Sequence, residues 1–223
     1  MKTSSNIKLI AFVIALFTIF TACKKDDRIE DNGLTREIND LVPTKILDDM
    51  KDLGMPIFGG GNPPDIENIY IASPFILLNS NRSGDQIGQQ FADYKVKFSS
   101  QDNEALTVNW DYINGPETGT GLAGFIVGDN NQFTVFAELI STAYDSSAKL
   151  VVVLSGKKVT AGIQNLHYAI FMLDNYGNPG GYWINNGDGR VCYDSDGSSE
   201  ITSSFKSTET DYTELVTKGS GKK

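Results

Sequence analysis

The residues best suited to chemistry in this chain are few and scattered. His167 is the only histidine. A general base needs a nucleophile and an orienting partner within reach. Strand parity sets His167 with Asn165, opposite Leu166, Tyr168, Ile170 and Met172. That apolar set claims the core, so His167 is expected on the outer surface. No Gly-x-Ser-x-Gly or His-Glu-x-x-His pattern supplies it with a nucleophile or a metal. Asp194-Ser195-Asp196-Gly197, followed by Glu200, places oxygen ligands at alternate positions as a calcium loop does. It lacks a third ligand and the bidentate glutamate that closes such a loop. Asp194, Asp196 and Glu200 are calcium candidates on that basis, for a structural ion, and an Asx-rich turn explains the same letters. Glu117, Asp129, Glu138, Asp145 and Asp174 offer further carboxylates. Nothing in their spacing fixes two of them at the ~5–10 Å of a glycosidase pair. The expectation is a protein that is not an enzyme and carries no cofactor.

Binding is the other chemistry to consider. Trp110, Tyr112, Phe133, Phe136, Tyr168, Phe171 and Trp183 fall at strand spacing and can line an interior. Trp110, Tyr112 and Tyr168 are the ligand-binding candidates, for a small apolar or amphipathic molecule. An interior built from about eight strands either holds one such ligand or is filled by its own side chains. Both readings stay open. Cys192 reads as a buried small hydrophobe.

The elements that must position these residues are strands. From Ile66 to about Tyr193 the helical period is missing and alternation takes over. Ala92, Tyr94, Val96 and Phe98 share one face, and Leu106, Val108, Trp110 and Tyr112 repeat the pattern. Further runs cover 70–78, 122–127, 133–140, 150–154, 163–173 and 190–193, with 182–184 a candidate addition. Turn clusters separate them, among them Ser155–Lys158. About eight strands joined by short loops must be antiparallel neighbours. The fold class is therefore all-β: an antiparallel up-and-down barrel of about eight strands, with a β-sandwich as the alternative. Ahead of it, Pro43 to Gly54 predicts a short amphipathic helix with Ile46, Leu47, Met50 and Leu53 on one stripe. Met55 to Asp65 is a Gly/Pro connector.

The chain opens with a segment of a different kind. Lys2 and Lys8 precede an uncharged, mostly apolar run from Leu9 to Phe20, too short for a ~30 Å hydrocarbon core but suited to a signal peptide. Phe20-Thr21-Ala22-Cys23 resembles the lipobox of bacterial lipoproteins. That resemblance implies cleavage before Cys23, lipidation of Cys23 and a stable membrane anchor, since more than one acyl chain holds firmly. Lys25-Asp26-Asp27 is similar to the export signals of surface lipoproteins in the Bacteroidetes. It implies outer-membrane attachment with the domain at the cell surface. Asn62-Pro63-Pro64-Asp65-Ile66-Glu67-Asn68-Ile69-Tyr70 and the strands after it resemble lipocalin-like barrel lipoproteins of the same phylum, mostly uncharacterised. The lipocalin Gly-x-Trp is Asn68-Ile69-Tyr70 here.

The expected organisation is a signal peptide over 1–22, a lipidated tether over 23–42, the helix and connector over 43–65, the β domain over 66–200 and a polar C-terminal segment over 201–223. The chain carries a net charge of −9, with 28 acidic against 19 basic side chains. Loss of Lys2 and Lys8 makes it more acidic still. Such a surface repels phosphate backbones, so nucleic acid is excluded as a partner. The partners expected are the membrane, through the lipid on Cys23, a small apolar ligand, or an outer-membrane protein to which a filled barrel is accessory.

Overall fold

The computed structural model describes residues 26–115, 117–143 and 146–206. Among them lie two helices, α1 (Arg36–Leu41) and α2 (Thr44–Asp52), and ten strands. The strands are β1 (Asn68–Ala72), β2 (Phe75–Ser80), β3 (Tyr94–Asp102), β4 (Thr107–Asn114), β5 (Glu117–Asp129), β6 (Gln132–Ala143), β7 (Ser146–Val159), β8 (Gly162–Asp174), β9 (Gly189–Asp194) and β10 (Ser198–Ile201). Their pairings are antiparallel. The ladder runs from β1 through β3 and on in order to β8. It then closes, because β8 pairs with β10 and β10 pairs back onto β1.

Eight positions complete this ring, and two of them are held by broken strands. β1 and β2 follow one another with only Ser73 and Pro74 between, as expected of a proline that cannot donate to a ladder. β9 and β10 are likewise one course along β8, interrupted by a turn at Ser195–Gly197. The all-β, antiparallel, barrel-like expectation holds, and closure leaves the ladder without a free edge at β1.

Alternation sorts the side chains to two cores. Inward-facing residues include Tyr70, Phe75, Tyr94, Phe98, Trp110, Tyr112, Phe133, Leu150, Leu154, Tyr168, Ile170 and Cys192, all buried. The outer faces of β6 to β9 carry a second apolar set: Phe136, Val151, Val153, Ala169, Phe171 and Val191. Strands apolar on both faces need cover on both. The N-terminal arm supplies it, packing Leu34, Ile38, Val42, Ile46, Leu47, Met50 and Met55 against that outer face.

The arm corrects the expectation of a tether over 23–42. From Asp26 onward the chain is docked: Thr35 caps α1 by accepting from the Ile38 N–H, and Ile38 is fully buried. Leu34, Ile38 and Val42, with Ile29 and Leu41 packed beside them, suffice among many charges because the sheet offers a matching apolar face. The helix expected from Pro43 is present, with Pro43 at the N-cap and Ile46, Leu47 and Met50 buried. Two other readings give way. Ser155–Lys158 continues β7 through a bulge instead of turning, the reversal coming at 160–161. Tyr182–Ile184 is loop apart from a single bridge residue, Trp183. β10 was not expected, because Ser-Ser-Glu-Ile shows no alternation of its own.

Alternating connections give the ring two unlike ends. Tight turns at 103–106, 130–131 and 160–161 form a hairpin end. The long segments 81–93 and 175–188 gather at the opposite, loop end.

If the arm is part of the folded body, Met50→Ala must destabilise the whole domain. The expected loss is about 2–5 kcal/mol, seen as a lower urea midpoint in a single cooperative transition. An unchanged midpoint would show that the arm adds nothing.

Candidate functional site

The interior is the natural place to look for a site, and its rings are in contact. Tyr94 on β3 stacks on Phe75 at 5.2 Å between ring centroids, on Tyr112 at 5.9 Å and meets Tyr168 on β8 at 4.6 Å. β3 and β8 are not paired with each other, so this last contact crosses the lumen. Phe98 meets Trp110 at 5.9 Å and Tyr70 at 6.3 Å, one layer nearer the hairpin end. Spacings of this kind are those of packed aromatic pairs. The structure therefore places Tyr112 and Tyr168 together through Tyr94, with Trp110 in the adjoining layer against Phe98. All three are buried. The Trp110 indole Nε1 has no hydrogen-bond partner among the described residues. Buried donors are nearly always paired, so this one stands out.

The loop end is closed by side chains from its two long segments. Trp183 is fully buried, and its Nε1 donates to Ser146 Oγ at 2.9 Å. Asn178 holds the Trp183 backbone on both sides, accepting from its N–H and donating to its carbonyl. Phe91 is also fully buried, beside Phe75. Between them lies an ion-paired latch. On β9, Val191 joins the outer core and Cys192 the inner one, so Arg190 faces inward. Its Nε donates to Asp85 Oδ2 at 2.8 Å and its Nη2 to Asp85 Oδ1 at 2.9 Å. The guanidinium also lies 5.8 Å from the Phe91 ring centroid. Arg82 Nη1 and Ser80 Oγ donate to the same carboxylate at 2.6 and 2.8 Å. Asn81 then ties the segments together, its amide donating to the Gly187 carbonyl and its oxygen accepting from the Gly189 N–H.

Burial alone would push the Asp85 carboxyl up. The Arg190 hydrogen bonds and charge, helped by Ser80 and Arg82, outweigh it and hold the group at about 2. Asp194 is the opposite case. It is 2 % exposed on the inner face, where burial raises its pKa against a Ser199 Oγ donor at 2.7 Å, and the neighbouring Asp196 adds to the rise. The calcium candidates are not assembled into a site. Asp194 faces inward, Asp196 is spent on capping the Ser198 N–H, and Glu200 follows buried Ser199 onto the exposed face. Among the described residues no three acidic, histidine or cysteine side chains gather as a metal would need.

His167 lies on the outer face as parity required, with Nδ1 2.9 Å from the Asn165 carbonyl oxygen and its ring 6.0 Å from that of Tyr193. Neither contact is a nucleophile. Glu138 pairs with Lys149 at 2.8 Å on the outer wall, and Asp129 caps the Asn130 turn. Cys192 is buried, and burial pushes its thiol far above the ordinary range. Cys23 and Lys25 lie outside the described residues. Asp26 is held by Arg28, and Asp27 is exposed. A groove of about 360 Å³ opens at the hairpin end, lined in part by Asp27, Arg28, Arg36, Glu37, Leu106 and Phe125. It is walled by charges of both signs.

Compared with known families, curated proteins and solved structures, the chain finds no match.

Sequence reasoning missed Arg190 and Asp85, while Trp183, expected to line the interior, is buried there. The signal for Arg190 was present, since Arg190, Cys192 and Asp194 share a parity inside an apolar run. Asp85 sits in a polar loop indistinguishable in composition from a solvated one.

The latch yields a pH dependence. A carboxyl whose folded pKa lies below its unfolded value contributes stability above the unfolded pKa and loses it as pH falls through the folded one. For Asp85 that window runs from the ordinary carboxyl value of 3.8 down to about 2. The contribution is on the order of 2 kcal/mol, at about 1.4 kcal/mol for each tenfold change in proton affinity. Asp85→Ala should cost about 3 kcal/mol at neutral pH, because Arg190 then stays buried without this counter-charge. It should also flatten the stability profile over that acid window, measured by urea unfolding at several pH values.

Proposed function

We propose that this chain is a lipid-anchored protein of the cell envelope, held through Cys23 and displayed at the cell surface. It is not an enzyme. Its ring is a packed body, and it works through its outer surface as an accessory to another envelope component. The observation that carries this reading is the contact between Tyr94 and Tyr168 across the lumen, with Phe75 and Tyr112 stacked against it. An interior whose rings already touch offers an apolar ligand no room without repacking, and repacking a close-packed core costs free energy. Trp183 and Phe91 cover the loop end, and the Asp85–Arg190 latch ties the loop over it. The exposed large apolar residues support the outward reading. Ile87, Ile140, Tyr176 and Tyr182 are 64, 67, 49 and 39 % exposed and lie toward the loop end, whereas Ile201, 41 % exposed, lies at the hairpin end. The lipobox and the Lys25-Asp26-Asp27 resemblance support the anchor and its side of the membrane.

One observation favours a second reading, in which the barrel binds a small ligand among Trp110, Tyr112 and Tyr168. The Trp110 Nε1 is a buried donor that a ligand acceptor would satisfy.

Titration with anilinonaphthalene sulfonate, read by probe and tryptophan fluorescence, separates the two. The wild-type domain is expected to show no saturable binding. Tyr168→Ala, which opens the central layer at about 3–5 kcal/mol of stability, is expected to bind the probe if it still folds. Saturable one-to-one binding by the wild type, lost in Trp110→Phe, would overturn the packed-body reading in favour of the ligand site.

A further inference from the structure

We infer that the N-terminal arm fixes the polarity of the domain on the membrane: the hairpin end faces the lipid surface and the loop end points away from it. This rests on lipidation of Cys23 and adds to it a direction. The root of the arm is pinned by Arg28, whose guanidinium spends all five donors on one place. Its Nε and Nη2 hold the Asp26 carboxylate at 3.0 and 2.6 Å. Its Nη1 reaches the carbonyls of Asn103 and Glu104, at the tip of the β3–β4 hairpin, at 2.8 and 2.7 Å. Nη2 also reaches the Gly61 carbonyl at 2.8 Å. The Arg28 hydrogen bonds and charge hold the Asp26 carboxyl at about 2, so the clip stays charged at any ordinary pH.

The triple glycine, Gly59-Gly60-Gly61, explains why the root sits so close. A Cβ at Gly59 would strike the Gly33 carbonyl, one at Gly60 the Gly128 carbonyl, and one at Gly61 the Asp26 carboxylate. Gly60 also has φ of +125°, a conformation that side chains resist. The connector is thus threaded between the arm and β5. Gly60 donates to the Gly33 carbonyl and Gly128 to the Gly60 carbonyl, each at 2.9 Å. What composition presents as a loose linker is the seam that fastens the start of the domain to the hairpin end.

Reach then sets the geometry. Three residue steps separate Cys23 from Asp26, and fully extended they span at most about 11 Å. A lipid on Cys23 therefore lies within about 11 Å of the clip, while tilted strands of a dozen residues put the loop end on the order of 30 Å farther away. The hairpin-end tips include Asp102, Glu104, Asp129, Asn130 and Asn131, all exposed and polar, with Ile201, 41 % exposed, beside the turn at 160–161. They favour hydrated head groups over insertion. The apolar residues Ile87 and Tyr176 face away from the membrane.

The test uses the full lipidated chain in phosphatidylcholine vesicles containing lipid with a nitroxide on its head group. A fluorophore is placed at Asn131→Cys on the hairpin end or at Ile87→Cys on the loop end, Cys192 being buried and Cys23 acylated. Quenching several-fold greater at 131 than at 87 is expected. Arg28→Ala should stay bound and folded, by circular dichroism, and bring the two values together. Equal or reversed quenching in the bound wild type would overturn the polarity while leaving lipidation intact. Failure of the wild type to bind vesicles any better than Cys23→Ser would overturn both.

Discussion

Tyr94 and Tyr168 meet at 4.6 Å although their strands do not pair, and this contact organises the rest of the molecule. An eight-position ring is narrow enough for opposite walls to touch through two large side chains. Once they touch, the lumen is a core, and its other inward positions must pack against that centre. Phe75 and Tyr112 stack beside it, Phe98 and Trp110 fill the next layer, and Trp183 and Phe91 close the layer above. Closure and packing reinforce one another. The ring would leave β1 and β10 as open edges without the short β8–β10 and β1–β10 ladders.

A filled interior alters what the outer surface must do. β7 and β8 are apolar on both faces, as buried strands are. Val151, Val153, Ala169 and Phe171 would be a large exposed patch if the N-terminal arm did not cover them. The arm therefore serves stability first. Its course away from the hairpin end and back, through α1, α2 and the glycine seam, also decides where the chain enters the body. The proposed polarity would follow from the need to cover a sheet face. The interior guanidinium is held by pairing: Arg190 faces inward and is matched by Asp85, which arrives on a loop. Asp194 is the less settled member, a buried carboxyl whose pKa burial pushes up against the Ser199 hydrogen bond.

Much of this was legible in the sequence, for definable reasons. Ala92, Tyr94, Val96 and Phe98, and Val108, Trp110 and Tyr112, alternate against polar residues, so both strands and their inner faces could be read directly. Met50 and its stripe announced α2. Other features were hidden. Leu34, Ile38 and Val42 look sparse among charges until the sheet face they meet is known. Ser155 to Lys158 has the composition of a turn, yet β6 and β8 on either side hold it extended. The Asp85–Arg190 pair joins residues more than a hundred positions apart, and no local pattern records it. The candidate ligand residues were placed correctly in the interior, whereas whether that interior is full depends on how far across it the rings reach. Strand spacing does not encode that distance.

The central claim is that an acylated chain beginning at Cys23 carries a body with nothing in its lumen but its own side chains. Native mass spectrometry of the protein released from membranes in mild detergent tests it most directly. The expected mass is that of the acylated polypeptide from Cys23 onward and no more. A further non-covalent mass of a small molecule, shed on unfolding, would contradict the packed interior. A mass that includes residues 1–22 would contradict the anchor.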